Sequence, residues 1–432
     1  MDIPTDLKLP AMYHVRQKLE VPVVEDIPAA IRQELDRIGL RNLVRPGMRI
    51  AVTAGSRGVA NIPLIIATVV QRLKELGTQP FIVPAMGSHG GATPEGQVEV
   101  LRNLGITEER VRAPIISSLE TVVIGQTPEG IPVNLDKNAA ESDGILVVGR
   151  VKPHTDFEGP IESGLMKMMV IGLGKHKGAL AAHRAAIAYG HRQVIPSVAR
   201  VVLKEAPILC GLAVVENAYD QTAKVQAILP QDIEQQEMEL LELAKRLLAR
   251  IPYEQLDILI VDELGKDVSG AGMDTNVIGR IYNIASPSPD SPKIKRIFVR
   301  DLTEATHGNA TGLGMADFTT RRCFEKIDYQ STYINCVTGG APENARIPVI
   351  CENDRQALVW ALTTIGPVEP EEARMVWIKN TLEMENILVS QSLLGETQGN
   401  GKLEVVDGPL ALQYDHDWNL VDVYKRRPFA HR

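Results

Sequence analysis

Residues 49–84 read RIAVTAGSRGVANIPLIIATVVQRLKELGTQPFIVP, and this stretch decides the fold. Arg49 to Thr53 is a short apolar strand, and AGSRGVAN follows it as a loop. Asn61 and Pro63 then open a helix in which Ile62, Ile66, Val69, Leu73 and Leu76 fall on one face. Gly77 closes the helix, and Pro80 to Pro84 is the next strand. Strand, loop, helix and strand in this order make a βαβ unit. The pattern continues outward. AMGSHGGA follows as a loop, Thr93 and Pro94 cap a helix running to Gly105, and Gly144 to Val148 is a strand whose unbroken apolar run predicts burial on both faces. Lys177 to Tyr189 reads as an alanine-rich helix, Ile208 to Val215 and Ala223 to Leu229 as strands, and Pro230 to Arg250 as a long amphipathic helix. The expected fold is α/β, with a first domain built on a doubly wound, mostly parallel sheet carrying helices on both faces.

Near Ile251 and Pro252 the pattern restarts with a strand at Asp257 to Val261. The domain boundary is therefore placed there, giving a first domain over 1–252 and a second, smaller α/β domain over 253–432. Strands at Arg296 to Val299 and Arg374 to Ile378 and a helix over Asp354 to Ile365 belong to the second. Ser286 to Ser291 (SPSPDS) reads as an exposed loop.

Composition narrows the function. The 432 residues carry 44% hydrophobic and 23% charged side chains and a net charge of −8, so no basic footprint for nucleic acid or an anionic membrane is visible. No apolar run approaches the roughly 20 residues of a membrane span. The opening MDIPTDLKLP has acids and prolines where a signal peptide needs basic residues and an apolar run, and a cytoplasmic location is expected. Cys210, Cys323, Cys336 and Cys351 show no metal-ligand spacing and read as reduced core thiols.

In open α/β sheets ligands bind beyond the carboxyl ends of the parallel strands. Three loops of the first domain lie there. Gly55-Ser56-Arg57-Gly58 either holds a phosphate or carboxylate with backbone N–H groups, a hydroxyl and a guanidinium, or is a plain turn with a surface arginine. Gly87-Ser88-His89-Gly90-Gly91 leaves an imidazole uncovered between glycines. Lys152-Pro153-His154 follows the strand ending at Val148. Two histidines on neighbouring strand-end loops either face one another across a small substrate, with a pKa suited to proton transfer, or cap their loops independently. Lys167 interrupts the apolar run Leu165 to Ile171, so it is either on an exposed strand face or desolvated, in which case its amine is available for covalent chemistry. His183 sits among Ala181, Ala182, Ala185 and Ala186, small residues that leave room beside the imidazole, and His176 in Gly174–Gly178 could equally serve an anion.

His89, then Lys152-Pro153-His154, then Lys167, then His183 in this order resemble the nickel-dependent lactate racemase family, nickel-pincer nucleotide 2-hydroxy-acid racemases and epimerases. The sixteen-residue step from Lys167 to His183 is its most specific feature. The resemblance implies an isomerase that inverts the C2 carbon of a 2-hydroxy acid. Its cofactors would be nickel and a nickel-pincer nucleotide, the pyridinium-3-thioamide-5-thiocarboxylic acid mononucleotide, tethered to Lys167. It implies His183 as the protein ligand to nickel, His89 and His154 as the acid/base pair, and Ser56 and Arg57 as residues holding nucleotide and substrate. Gly265-Lys266-Asp267 through Asn276 and Arg280 looks like the family's loop over the active site, which implies a second domain closing over the first and adds Lys266 and Arg280 to Arg57 as substrate-binding residues. Cofactor-maturation enzymes are the implied partners. Two departures stand out. Ala54 and Gly55 occupy the region of the family's acidic residue before the first-loop arginine. The stretch from His154 to Lys167 is longer and less glycine-rich, with Glu158, Glu162 and Ser163 among its glycines.

The implied chemistry is self-consistent. A histidine is too weak a base to take the α proton of a hydroxy acid, so the hydrogen leaves more easily as hydride to an electrophilic cofactor while a histidine takes the hydroxyl proton. Two histidines are needed because both enantiomers react. Two other readings compete. A zinc-dependent hydrolase or lyase would gather His89, His154 and His183 around one ion, and a non-catalytic protein would hold an anion in the Gly55–Gly58 and Gly174–Gly178 loops.

Overall fold

The computed structural model describes residues 7–283 and 287–421. The opening residues 1–6 and Ser286, both used in the sequence reading, lie outside the described residues. The chain divides into two compact units, one of residues 20–248 and one of residues 1–19 with 249–432. The strand Met12–Gln17, from the stretch expected with the first domain, pairs antiparallel with both Asn386–Ser390 and Leu403–Leu410 and so belongs to the other unit.

The unit 20–248 holds a five-stranded sheet in the order Gln79–Pro84, Arg49–Ala54, Gly144–Arg150, Ile208–Glu216, Thr222–Ile228. The first four strands run parallel and the last is antiparallel. Period-two alternation sends successive side chains to opposite faces. Ile50, Val52, Leu146 and Val148 pack on one face with residues of the helices Ile27–Arg37, Ile62–Glu75 and Pro94–Asn103. Ala51, Ile145 and Val147 pack on the other with residues of Lys175–Tyr189, His191–Glu205 and Ile233–Leu247. The sheet is doubly wound, as its apolar runs require. A hairpin of Thr121–Gln126 with Pro132–Asp136 is an addition the sequence reading lacks.

The other unit is also α/β. Its eight-stranded sheet has a parallel half, Val349–Cys351, Phe318–Thr320, Lys293–Leu302, Gln255–Leu264 and Met375–Ile378, followed by the antiparallel strands Asn386–Ser390, Met12–Gln17 and Leu403–Leu410. All four cysteines are buried and unbridged. Among the described residues no helix is long and apolar enough to cross a membrane.

Candidate active site

The strand order positions the site. From Arg49–Ala54 the chain moves outward to Gln79–Pro84, then crosses back to Gly144–Arg150 on the opposite side. The order therefore reverses between the first and third of these strands, and such a switch point leaves a crevice at their carboxyl ends. Gly55-Ser56-Arg57 and Lys152-Pro153-His154 follow those two ends directly.

Lys167 closes the helical turn Leu165–Lys167, which runs into a π-helical turn at Met168–Gly172. It is therefore not on a strand. Met166, Met169 and Val170 are buried in the core, which leaves Lys167 and Met168 on the other side. The turn is anchored behind by Glu237, fully buried, whose Oε2 accepts from the Met166 N–H at 2.9 Å and whose carboxyl is pushed up to about 7 by burial. Gly55 lets the first loop reach this segment, since a Cβ there would lie 2.9 Å from Met168 Cε.

The Lys167 amine meets Nε2 of His154 in a short hydrogen bond. The other ring nitrogen, Nδ1, accepts from the backbone N–H of Asp156 at 3.0 Å. A nitrogen that accepts carries no proton, so the neutral ring holds its proton on Nε2 and donates it. The amine can accept that proton when it is the free base. Protein crowding lowers the Lys167 amine from its usual 10.5 to about 8, opposed by Asp156 and reinforced by Arg57 and Lys152, so that the free base is accessible near neutrality. Desolvation, then Lys167, His191, Lys152 and Arg57, hold His154 well below the usual 6.5.

The loop carrying His154 is built around Glu162, a buried carboxylate. Its Oε2 accepts from the His154 N–H at 2.6 Å, its Oε1 from the Gly159 N–H at 3.2 Å, and Lys245 pairs with it at 3.0 Å. The insertion that sets this stretch apart in the sequence thus supplies its internal scaffold. Phe157 stacks on His154 with ring centres 4.5 Å apart and on His191 at 4.8 Å, and His191 meets His183 edge-on at 5.8 Å. Desolvation and Lys167 lower His183, and desolvation, His183 and Lys167 lower His191 to about 4. Arg57 and His183 are exposed by surface area, yet desolvation is the first cause of both their shifts. Both are thus reachable from solvent and crowded by protein at once.

The structure thus brings together Lys167, His154, His183 and Arg57, with His191, Phe157 and Glu162 that sequence reasoning had not assigned. His89 sits in the neighbouring loop, its Nδ1 2.5 Å from Ser56 Oγ. In the other unit, Arg280 donates to Asp317 at 2.9 Å and to the carbonyls of Met315 and Ile294, and Lys266 Nζ donates to the Gly270 carbonyl at 2.5 Å. Among the described residues no three His, Cys, Asp or Glu side chains are grouped so as to hold a metal ion. A three-imidazole zinc site from His89, His154 and His183 therefore lacks its geometry.

A family profile described as the lactate racemase N-terminal domain matches residues 2–194, which include every first-unit residue singled out in the sequence. No curated protein matches the chain. Among solved structures it is similar to the lactate racemase apoprotein from Thermoanaerobacterium thermosaccharolyticum, with 16% identity over 84% of this chain and 83% of that one and a TM-score of 0.45.

Proposed function

We propose, from the match of residues 2–194 to the lactate racemase N-terminal domain profile, that this protein is a racemase or epimerase that inverts C2 of a 2-hydroxy acid. The observation that carries the proposal is the Lys167 amine, lowered to about 8 and hydrogen-bonded to His154, with His183 near enough to be perturbed by it. Acylation of a lysine needs the unprotonated amine, and the residues present fit a nickel-pincer nucleotide tethered at Lys167 with His183 as protein ligand. When bound, that group would supply an electrophilic hydride acceptor and nickel, with one imidazole, that of His183, as its ligand from the protein.

The chain's own residues do the rest. A tether at Lys167 would leave its nitrogen without charge and without a basic lone pair. Nε2 of His154 is then released towards the substrate, and the loss of the lysine charge lets the pKa of His154 rise. His154 and His89 act as the proton carriers at the substrate hydroxyl, one for each hand. Ser56 Oγ meets Nδ1 of His89 and so orients its ring. Arg57, cationic and crowded beside the cluster, meets the carboxylate. Arg280 and Lys266 are the candidates from the other unit, and each would have to exchange a present partner for substrate.

The test is to make the protein in cells with and without the cofactor-synthesis enzymes. We expect a covalent adduct on Lys167, bound nickel, and loss of optical rotation with at least one member of a panel of 2-hydroxy acids, all absent without those enzymes. An adduct on Lys175 or Lys177, or zinc on an unmodified chain, would overturn the proposal.

A further inference from the structure

Behind the loop that carries His89 lies a buried polar array that the reaction described above does not use. Gln97, Lys175 and Asp136 are each fully buried. Lys175 Nζ donates to Gln97 Oε1 at 3.1 Å and to the carbonyl of Pro84, the last residue of its strand, and pairs with Asp136 at 3.3 Å. An ammonium group only donates, so the amide oxygen of Gln97 must face the lysine. The amide nitrogen is thereby turned to the other side, where it donates to the carbonyls of Gly87 at 3.0 Å and His89 at 3.4 Å. Gln97 lies in the second turn of the helix Pro94–Asn103, against which the loop is pressed. Gly90, with φ at +70°, allows that approach, since a Cβ there would stand 2.5 Å from the carbonyl carbon of Gly96.

Lys175 also begins the helix Lys175–Tyr189 that bears His183, and its own backbone is in the left-handed region at φ +53°. A lysine in that conformation, with its side chain wholly enclosed, is held there by the partners of its ammonium group. The same residue thus joins the start of the His183 helix to the end of the strand Gln79–Pro84 and, through Gln97, to the loop of His89.

We infer that Gln97, oriented by Lys175, is the positioning residue for His89, and that this array fixes the His89 loop to the helix that carries His183. The inference rests on the reading of His89 as a proton carrier. Glutamate at position 97 keeps the acceptor for Lys175 but has no N–H to give the two carbonyls, and methionine removes both functions without adding charge. In the chain without cofactor, Gln97→Glu and Gln97→Met should each lower hydrogen-exchange protection of the amides of residues 87–93 by about tenfold or more, with the helix 175–189 unchanged in Gln97→Glu. In the cofactor-loaded enzyme, kcat should fall by about 10- to 100-fold with KM nearly constant and the Lys167 adduct intact, as a misplaced but present catalytic group requires. A merely structural glutamine would change the amount of folded protein and leave kcat per folded, loaded molecule alone. Unchanged loop protection in both variants, or unchanged kcat in folded loaded protein, overturns the inference. The control is His89→Ala. If it loses activity while the Gln97 variants keep theirs, only the positioning role fails. If it keeps full activity, the reading of His89 fails, and this inference with it.

Discussion

Replacing Lys167 by methionine should stabilise the chain that lacks cofactor, and only below a definite pH. Protein crowding brings the amine from 10.5 to about 8, a difference of about 2.5, and each unit corresponds to about 1.36 kcal/mol. The folded state of the unmodified chain therefore carries a penalty of about 3 kcal/mol wherever lysine is protonated in both folded and unfolded forms, which includes pH 7. Above pH 8 the folded lysine releases its proton while the unfolded one keeps it. The unfolded chain then binds more protons, stability rises with pH, and the penalty is gone above about 10.5. Methionine has no charge to desolvate and resembles its neighbours Met166 and Met168. The hydrogen bond to His154 needs the free amine and so offsets nothing at pH 7, and the gain for Lys167→Met is about 3 kcal/mol there, shrinking from pH 8 upward. All three tryptophans, Trp360, Trp377 and Trp418, lie in the other unit, so fluorescence would miss the effect. Urea-dependent hydrogen exchange of peptides from residues 20–248, at about pH 7 and about pH 10, reads it directly. Equal stability of parent and variant at pH 7, or a gap that does not change with pH, would refute a desolvated amine at Lys167.

Two further outcomes bear on the substrate. His89→Ala and His154→Ala should leave folding and nickel content intact and cut turnover by about 10²- to 10⁴-fold; near-parental rates in either variant, measured polarimetrically from both enantiomers or epimers, would remove that residue from the pair. Arg57→Gln should raise KM for the hydroxy acid and also raise the Lys167 pKa in the unloaded chain, because Arg57 helps to depress it. Competitive acylation across pH checks the second effect, and Arg280→Ala, which releases Asp317 and two carbonyls in the other unit, should leave that titration unmoved.

Much of this was legible in the sequence because it depends on local periodicity. The strands at Arg49 and Gly144 and the helix after Asn61 announce themselves by apolar spacing, and the loops after the strands then fall where a doubly wound sheet puts its crevice. Lys167 was legible as an anomaly, a cation inside an apolar run. Its setting was not, since a π-helical turn at Met168–Gly172 has no spacing of its own to distinguish it from a strand over so few residues. Phe157 and His191 were missed because their meeting joins the loop after one strand to the start of a helix more than thirty residues on. The partnership of Gln97 with Lys175 spans an even longer gap and left no trace in composition. Only Glu162 gave a signal, as an acid inserted among glycines, and its purpose became evident once its carboxylate was seen to hold the backbone of His154. The pairing of Met12–Gln17 with residues near 390 and 405 is a tertiary choice that alternation along residues 12–17 does not encode.

The electrostatics of the cluster around Lys167 argue for its purpose independently of any likeness. Lys167, Lys152, Arg57 and three imidazoles influence one another there, against the carboxylates of Asp156 and Glu162. Glu162 is already committed to two backbone N–H groups and to Lys245. A site selected only for stability would not crowd bases together out of water, because each must either give up its proton or bear the cost of desolvation. The amine of Lys167 and the rings of His154, His183 and His191 are all shifted towards their neutral forms. Neutral nitrogen bases are what acylation, metal ligation and proton abstraction each demand. The crowding that makes the cluster costly is therefore the same physical cause that makes its groups reactive, and an anionic ligand entering beside Arg57 would recover part of that cost on binding.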